Sequence, residues 1–315
     1  MEMVMDVVLH AGRNTIELCL FVLLPVMVFM LAIMRLLESW GVLDFIVDRL
    51  APVLRPMGLT GLGVFAALQI TFVSFAAPVA TLALMESRGT SNRHLAATLA
   101  MVFAMAQANV VFPMLSMELH LIPVLLWSLV GGLAAAAVTY WGFGRNLSSA
   151  ERLEEEDDRP NRSKPAEGPK GNLDAVNQAG ADAFRISVGA IPMLLISMVV
   201  VALLQRLGAI DWITHVVSPF LAVFSIDQAY VLPTITKYLA GGTAMMGIAD
   251  EMLRQGAITG TLLNQGAGFL THPLDVPGVA VLISAGRRVT AVWRHAAAGA
   301  VVGIIIRTIG NAWLW

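Results

Sequence analysis

The residues with chemistry to offer are few: Lys237, His272, Asp275 and the amides Gln107, Asn109, Asn264 and Gln265, each set in otherwise apolar sequence. A charged or amide side chain is costly in such a setting, so it signals binding, pairing or proton transfer rather than solvation. Gln107 and Asn109 stand in Met105-Ala106-Gln107-Ala108-Asn109-Val110-Val111-Phe112-Pro113, whose proline frees a backbone carbonyl one turn earlier. Asn264 and Gln265 open Asn264-Gln265-Gly266-Ala267-Gly268-Phe269-Leu270-Thr271-His272-Pro273-Leu274-Asp275-Val276-Pro277-Gly278, which reads as a broken helix with a polar opening. At such breaks, freed carbonyls and half-helix ends coordinate ions or polar substrates; the alternative is that the amides bond helix to helix. His272 and Asp275 are three apart and share a face if the turn is helical, making either a proton-relay or cation pair, or an ordinary Asp–His pair near the interface.

Lys237 precedes Gly241-Gly242-Thr243 and has Thr234, Thr236 and Tyr238 around it. It calls for a carboxylate or an anionic ligand, or else it snorkels to the membrane surface. Gly241 and Gly242 let backbone amides face a ligand or two backbones approach, although a bare turn requirement also accounts for them. Cys19, the only cysteine, lies within an apolar run and suits packing better than reactivity. Met101, Met105, Met114 and Met117 read as core filler rather than soft-metal ligands. With no phosphate loop, zinc-protease signature or nucleophile elbow, the sequence predicts no enzyme, no cofactor and no metal centre.

The elements that must position these groups are membrane helices. Of 315 residues 57% are hydrophobic and 13% charged, with mean hydropathy +0.74, against roughly 45–50% apolar in soluble domains. Net charge is −2, which provides no basic field for nucleic acid. The N-terminus carries Glu2 and Asp6, and no small-residue cleavage site follows the first apolar run, so a removable signal peptide is not expected. Apolar runs that suit spanning helices cover 16–37, 94–115, 121–141, 186–204, 257–284 and 289–309. Between them, 41–54 and 208–221 read as short interfacial helices. The segments around Ser74-Phe75-Ala76-Ala77-Pro78 and Leu239-Ala240-Gly241-Gly242-Thr243 read as re-entrant hairpins.

Residues 143–180 read as a solvated, disordered linker with the acidic block Glu154 to Asp158 and Pro160, Pro165 and Pro169. The linker divides a first membrane repeat, 1–142, from a second, 181–315. Pro25 and Pro192, Gly41 and Gly208, Asp44 and Asp211, Pro52 and Pro219, and Gly89 and Gly256 all match at one offset of 167 positions. Three crossings per half would invert the second repeat. The expected fold is therefore an all-α polytopic membrane protein of two inverted repeats, each with a spanning helix, an interfacial helix, a re-entrant hairpin and two further spans. Arginine placement favours both termini outside and the linker in the cytoplasm, leaving Arg13, Arg206, Arg254 and Arg307 outside.

The two hairpin tips, Ser74-Phe75-Ala76-Ala77-Pro78 and Gly241-Gly242-Thr243, together with Asn264-Gln265-Gly266-Ala267-Gly268 and Asp275-Val276-Pro277-Gly278, resemble the Gate or nucleoside-recognition-domain membrane proteins. That family includes spore maturation proteins and is more distantly similar to concentrative nucleoside transporters and the membrane part of ferrous iron permeases. Nucleoside transporters of that fold use polar tips for ribose, base and sodium, whereas Phe75-Ala76-Ala77-Pro78-Val79 is almost wholly apolar. The GTPase of the iron permeases has no counterpart here either. The resemblance and the residues together imply a secondary, ion- or proton-coupled transporter for a small polar or anionic solute, in the cell membrane. Gln107, Asn109, Lys237, Gly241, Gly242, Thr243, Asn264 and Gln265 would bind the solute, and His272 and Asp275 would couple ions. The competing expectation is a non-transporting assembly or regulatory protein of the spore-maturation type, and either kind allows a homo-oligomer or a partner membrane subunit.

Overall fold

The computed structural model describes residues 2–150, 171–223 and 226–315, and every regular element among them is helical. The acidic block of the linker lies outside the described residues. Helix α1 (Glu2–Glu17), a π-turn (Leu18–Leu23) and α2 (Leu24–Ser39) run on as one long span. Pro25 falls in the first turn of α2 directly after the π-turn, where a wider turn accommodates the hydrogen bond that proline cannot make.

A short α3 (Val42–Leu54) follows Gly41, and its path bends by 107° into α4 (Gly61–Phe72), so the two do not form one straight span. Helices α4 and α5 (Pro78–Ser87) form the first hairpin. Next come α6 (Asn92–Ala104), a break, the single turn α7 (Ala108–Val111), and α8 (Leu121–Val138).

The second half starts with α9 (Asn172–Arg206) and α10 (Ala209–Val223). Its hairpin is α11 (Val231–Ala240) and α12 (Gly242–Arg254); its broken helix is α13 (Gly260–Leu270) and α14 (Val276–Ile283); α15 (Arg287–Leu314) closes the chain. The hairpin arms have 10 to 13 residues. At 1.5 Å per residue that is about 15–20 Å, too short for the ~30 Å hydrocarbon layer.

Among the described residues, five helices are long and apolar enough to cross a membrane: Met5–Ser39, Asn92–Val111, Leu121–Phe143, Asn172–Arg206 and Arg287–Leu314. The sixth expected crossing, 257–284, is not one helix. Pro273 and Pro277 interrupt it, and α13 and α14 are each too short to span. Helix α9 also begins at Asn172, inside the stretch read as linker. Ala175, Ala179, Ala183 and Ser187 recur every fourth residue, all fully buried, and give the extension a small-residue stripe that lets it pack. An ion pair from Asp182 to Arg35, 2.9 Å, ties it down.

The two opening spans are antiparallel: Asp6 meets Arg206 (2.7 Å), Thr15 meets Met198 (3.3 Å), and Arg35 meets Asp182. The two closing helices α8 and α15 are antiparallel as well, with Trp127 beside Gly310, Gly131 beside Gly303 and Thr139 beside Gly299. At Gly131 and Gly303 the backbones touch, because a Cβ on either would run into the other's carbonyl oxygen. Equivalent glycines 167 positions apart share a left-handed conformation: Gly41 and Gly208 (φ 72° and 71°), Gly89 and Gly256 (φ 75° and 69°).

Helix α6, buried continuously from Leu95 to Ala104, packs with α8 and α15 as the centre of the scaffold. Exposed tryptophans mark the ends of the spans: Trp40 after α2, Trp141 after α8, and Trp313 in the last turn of α15. This is the aromatic belt of a membrane protein.

Candidate functional site

Four interruptions of helix meet at one place. Residues Ser74 to Ala76 of the first tip, Ala240 to Ala244 of the second tip, Gln107 and Asn109 at the first break, and Asp275, Pro277 and Gly278 at the second line a cavity of about 280 Å³. Leu23 of the π-turn and Ile186, Gly189, Ala190 and Leu194 of α9 form its apolar wall. The volume is just under the ~300–1,000 Å³ typical of small-molecule sites.

Asn109 ties the two hairpins together. Its Oδ1 accepts from the Phe75 backbone N–H (3.3 Å) and its Nδ2 donates to Thr243 Oγ1 (3.3 Å). Gln107 ties the two breaks: its backbone N–H donates to the Thr271 carbonyl (3.0 Å), and its Nε2 donates to the His272 carbonyl (3.1 Å). Gln107 Oε1 makes no recorded bond, and its residue lines the cavity, so an acceptor is available to a ligand.

Gly241 has φ +91° and ψ 172°, a region open essentially to glycine alone, and it lets α11 reverse into α12 within a single residue. The first turn of α12, Gly242 to Ala244, then starts at the cavity edge with its amide donors outside the helix's own bonding pattern. A side chain at Gly242 would strike Gln107 and Val110.

Lys237 and Asp275 form a buried ion pair, with side chains 0% and 2% exposed. Asp275 Oδ2 accepts from Lys237 Nζ, while Oδ1 caps α14 by accepting from the Gly278 N–H at 2.7 Å. Of the two fates open to Lys237, a carboxylate partner is the one observed, and the pair fastens the second hairpin to the second broken helix. His272 does not pair with Asp275. The chain bends at Thr271 to Pro273 instead of continuing as helix, so the three-residue spacing no longer puts the two on one face. His272 is fully buried; its Nδ1 accepts from the Leu274 N–H (3.0 Å), which leaves the proton on Nε2, 3.5 Å from Tyr238 Oη.

Asn264 is placed away from the cavity. Its Oδ1 accepts from the His120 N–H (2.7 Å), and its Nδ2 donates to the carbonyls of Glu118 and Gly260 (2.8 Å each), clamping the loop before α8. Gln265, half-buried, does not line the cavity either. Both sit on regular helix below the break, where sequence adjacency to a polar opening is no guide to direction.

The residue that sequence reasoning misplaced is Arg307. Counted among the external arginines because it falls two positions from the end of its apolar run, it is fully buried in α15. Its Nη1 donates to the Ala104 carbonyl (2.7 Å), and its Nη2 donates to Thr271 Oγ1 (2.7 Å) and, more distantly, to the Ala267 carbonyl (3.4 Å). An arginine within an apolar run was the available signal. The methionines read as core filler, Met101, Met105, Met114 and Met117, are all packed in the interior.

Hairpins and broken helices closing on one cavity, inside a bundle of long apolar helices, define a multi-pass membrane protein. Residues 20–138 of its first half match the family model of the Gate domain, described as nucleoside recognition. Among solved structures the chain is similar to CNTnw, a concentrative nucleoside transporter. A CNTnw variant in an outward-facing state superimposes with TM-score 0.69 at 16% identity, covering 99% of this chain and 84% of that one. CNTnw in an inward-facing, substrate-bound state gives 0.68 at 16% identity, covering 99% and 82%. A variant in an intermediate state gives 0.66 at 17% identity, covering 92% and 75%. At such identity the likeness is one of fold. No curated protein matches the sequence.

Proposed function

We propose that the protein is a secondary transporter that binds a small polar solute, neutral or anionic, in the cavity between the two hairpin tips and the two helix breaks. The observation that carries this reading is Asn109, which bonds to both tips at once and joins the two hairpins at the cavity. The donors available to a solute are the α12 amides and the Ser74 and Thr243 hydroxyls; Gln107 Oε1 is an acceptor. That set suits hydroxyl, carbonyl or carboxylate groups, and the Gate domain puts nucleosides first among the candidates. Lys237 and Asp275 neutralise each other, so the pair adds no net charge beside the cavity.

The antiparallel courses of the 167-offset helix pairs support inverted repeats, the arrangement in which one repeat moves against the other in alternating access. In this reading the membrane is the plasma membrane, both termini face outward and the linker is cytoplasmic. Asp275 remains the proposed coupling residue, with Lys237 rather than His272 as the group that it would exchange between states.

The test is thermal stabilisation of the detergent-purified protein by nucleosides, nucleobases and organic anions, repeated on Gly242→Val. Occupancy at one hundred times Kd would stabilise by about 2.7 kcal/mol. A class of ligand that raises the midpoint in the native protein and not in Gly242→Val identifies the cargo. If no compound in the panel shifts the midpoint, the transport reading gives way to the assembly-partner one, which co-purification would then examine.

A further inference from the structure

Arg307 is a buried cation with no carboxylate within ion-pair distance among the described residues, and that demands a source of compensating charge. The source is the pair of broken helices. Nη1 binds the carbonyl of Ala104, the last residue of α6, and Nη2 reaches Thr271 and the Ala267 carbonyl at the end of α13. Each helix C-terminus carries roughly half a negative charge, so two ends facing one guanidinium amount to about one unit against one unit. Both ends exist only because the helices are interrupted. In proteins of this architecture, exposed carbonyls at such interruptions are where alkali cations bind.

We propose that Arg307 is a built-in cation that holds the two helix breaks in register, occupying with its guanidinium the carbonyl cluster that would otherwise call for a bound alkali ion. The consequence is a cavity organised without sodium. Gln107, which lines it, is fixed by the carbonyls of Thr271 and His272, and Thr271 is fixed in turn by Arg307. Three further observations fit a positioning role. The Cβ side of Arg307 packs against Gly131 of α8, so the side chain is held at its base as well as its tip. Asn311 Nδ2 donates to the Arg307 carbonyl, one turn on (2.8 Å). Arg307 Nε has no partner, so the two Nη groups make all of its recorded side-chain bonds and both point at the breaks.

This role deepens the transport reading of the same site, yet its test needs no cargo. The thermal midpoint of the full-length protein in detergent is measured in sodium, potassium and choline chloride at equal ionic strength. The expected result is one midpoint in all three salts. A saturable rise with sodium in the native protein would overturn the proposal, because it would mean that an alkali ion still binds and organises the fold. Arg307→Lys and Arg307→Met are compared next: the retained charge should keep Arg307→Lys the more stable of the two, and equal loss in both would show that bulk rather than charge matters. In Arg307→Ala the midpoint should fall and recover with low-millimolar guanidinium, and recovery in Arg307→Lys or none in Arg307→Ala would count against a cation-specific role. A silent ligand panel with a positive Arg307 result would remove the transport reading alone.

Discussion

Removing one partner of the Lys237–Asp275 pair should cost far more than removing both. The two side chains are 0% and 2% exposed, so neither charge can turn to water when the other is lost. Lys237→Met leaves the Asp275 carboxylate with only the Gly278 N–H, and Asp275→Asn leaves an ammonium facing an amide. Breaking a buried pair in this way typically costs about 3–5 kcal/mol. The double variant Lys237→Met/Asp275→Asn carries no buried charge and keeps an oxygen to cap α14. Its expected cost is only about 0–1 kcal/mol, since replacing a whole buried pair is often neutral or stabilising. The coupling between the two substitutions would then be several kcal/mol, well beyond the ~0.5 kcal/mol within which independent sites add. Equilibrium unfolding of the four proteins in mixed micelles measures it. If the double variant were as unstable as the sum of the singles, the pair would not be acting as a closed charge unit, and the reasoning that ties the second hairpin to the second break through it would be wrong.

Asn264→Ala removes the two hydrogen bonds that hold the loop before α8 and strands the His120 N–H, so stability should fall by about 2–3 kcal/mol, while ligand affinity per folded molecule stays unchanged. A titration showing weakened affinity would return Asn264 to the binding site. Asn109→Ala deletes the link between the tips at a cost of about 1–2 kcal/mol, and cysteine crosslinking between positions 75 and 243 should become slower as the hairpins separate. Unchanged crosslinking would mean that packing alone holds the tips. Gly242→Val should push Gln107 out of its bond to His272 and abolish ligand-induced stabilisation, with retained stabilisation counting against the cavity as the binding site.

Membrane helices, hairpins and breaks were legible because bilayer physics writes them locally. Runs of about twenty apolar residues span, short arms do not, and Pro273, Pro277 and Gly241 interrupt helices for reasons contained in their own covalent structure. The offset of 167 could be read because a repeated backbone need, such as the left-handed turn at Gly41 and Gly208, leaves the same residue type behind. Of the candidate site residues, Gln107, Asn109, Gly241, Gly242, Thr243 and Asp275 line one cavity, and Lys237 backs it through Asp275.

Direction and partnership were not legible. Whether Asn264 faces the cavity or a neighbouring loop depends on the rotation of α13 against α8, which sequence neighbours do not encode. The pairing of Asp275 with Lys237 instead of His272 joins positions 38 apart across two helices, and the ends of α6 and α13 meet Arg307 from 203 and 40 positions away. Sequence by itself determined that the chain lives in a membrane and where its helices must break, since those follow from hydrophobic length and backbone chemistry. Tertiary structure alone decided that all four breaks close on a single cavity and that an arginine supplies the charge behind them, because a buried charge takes whichever partner the packing of distant helices brings within reach.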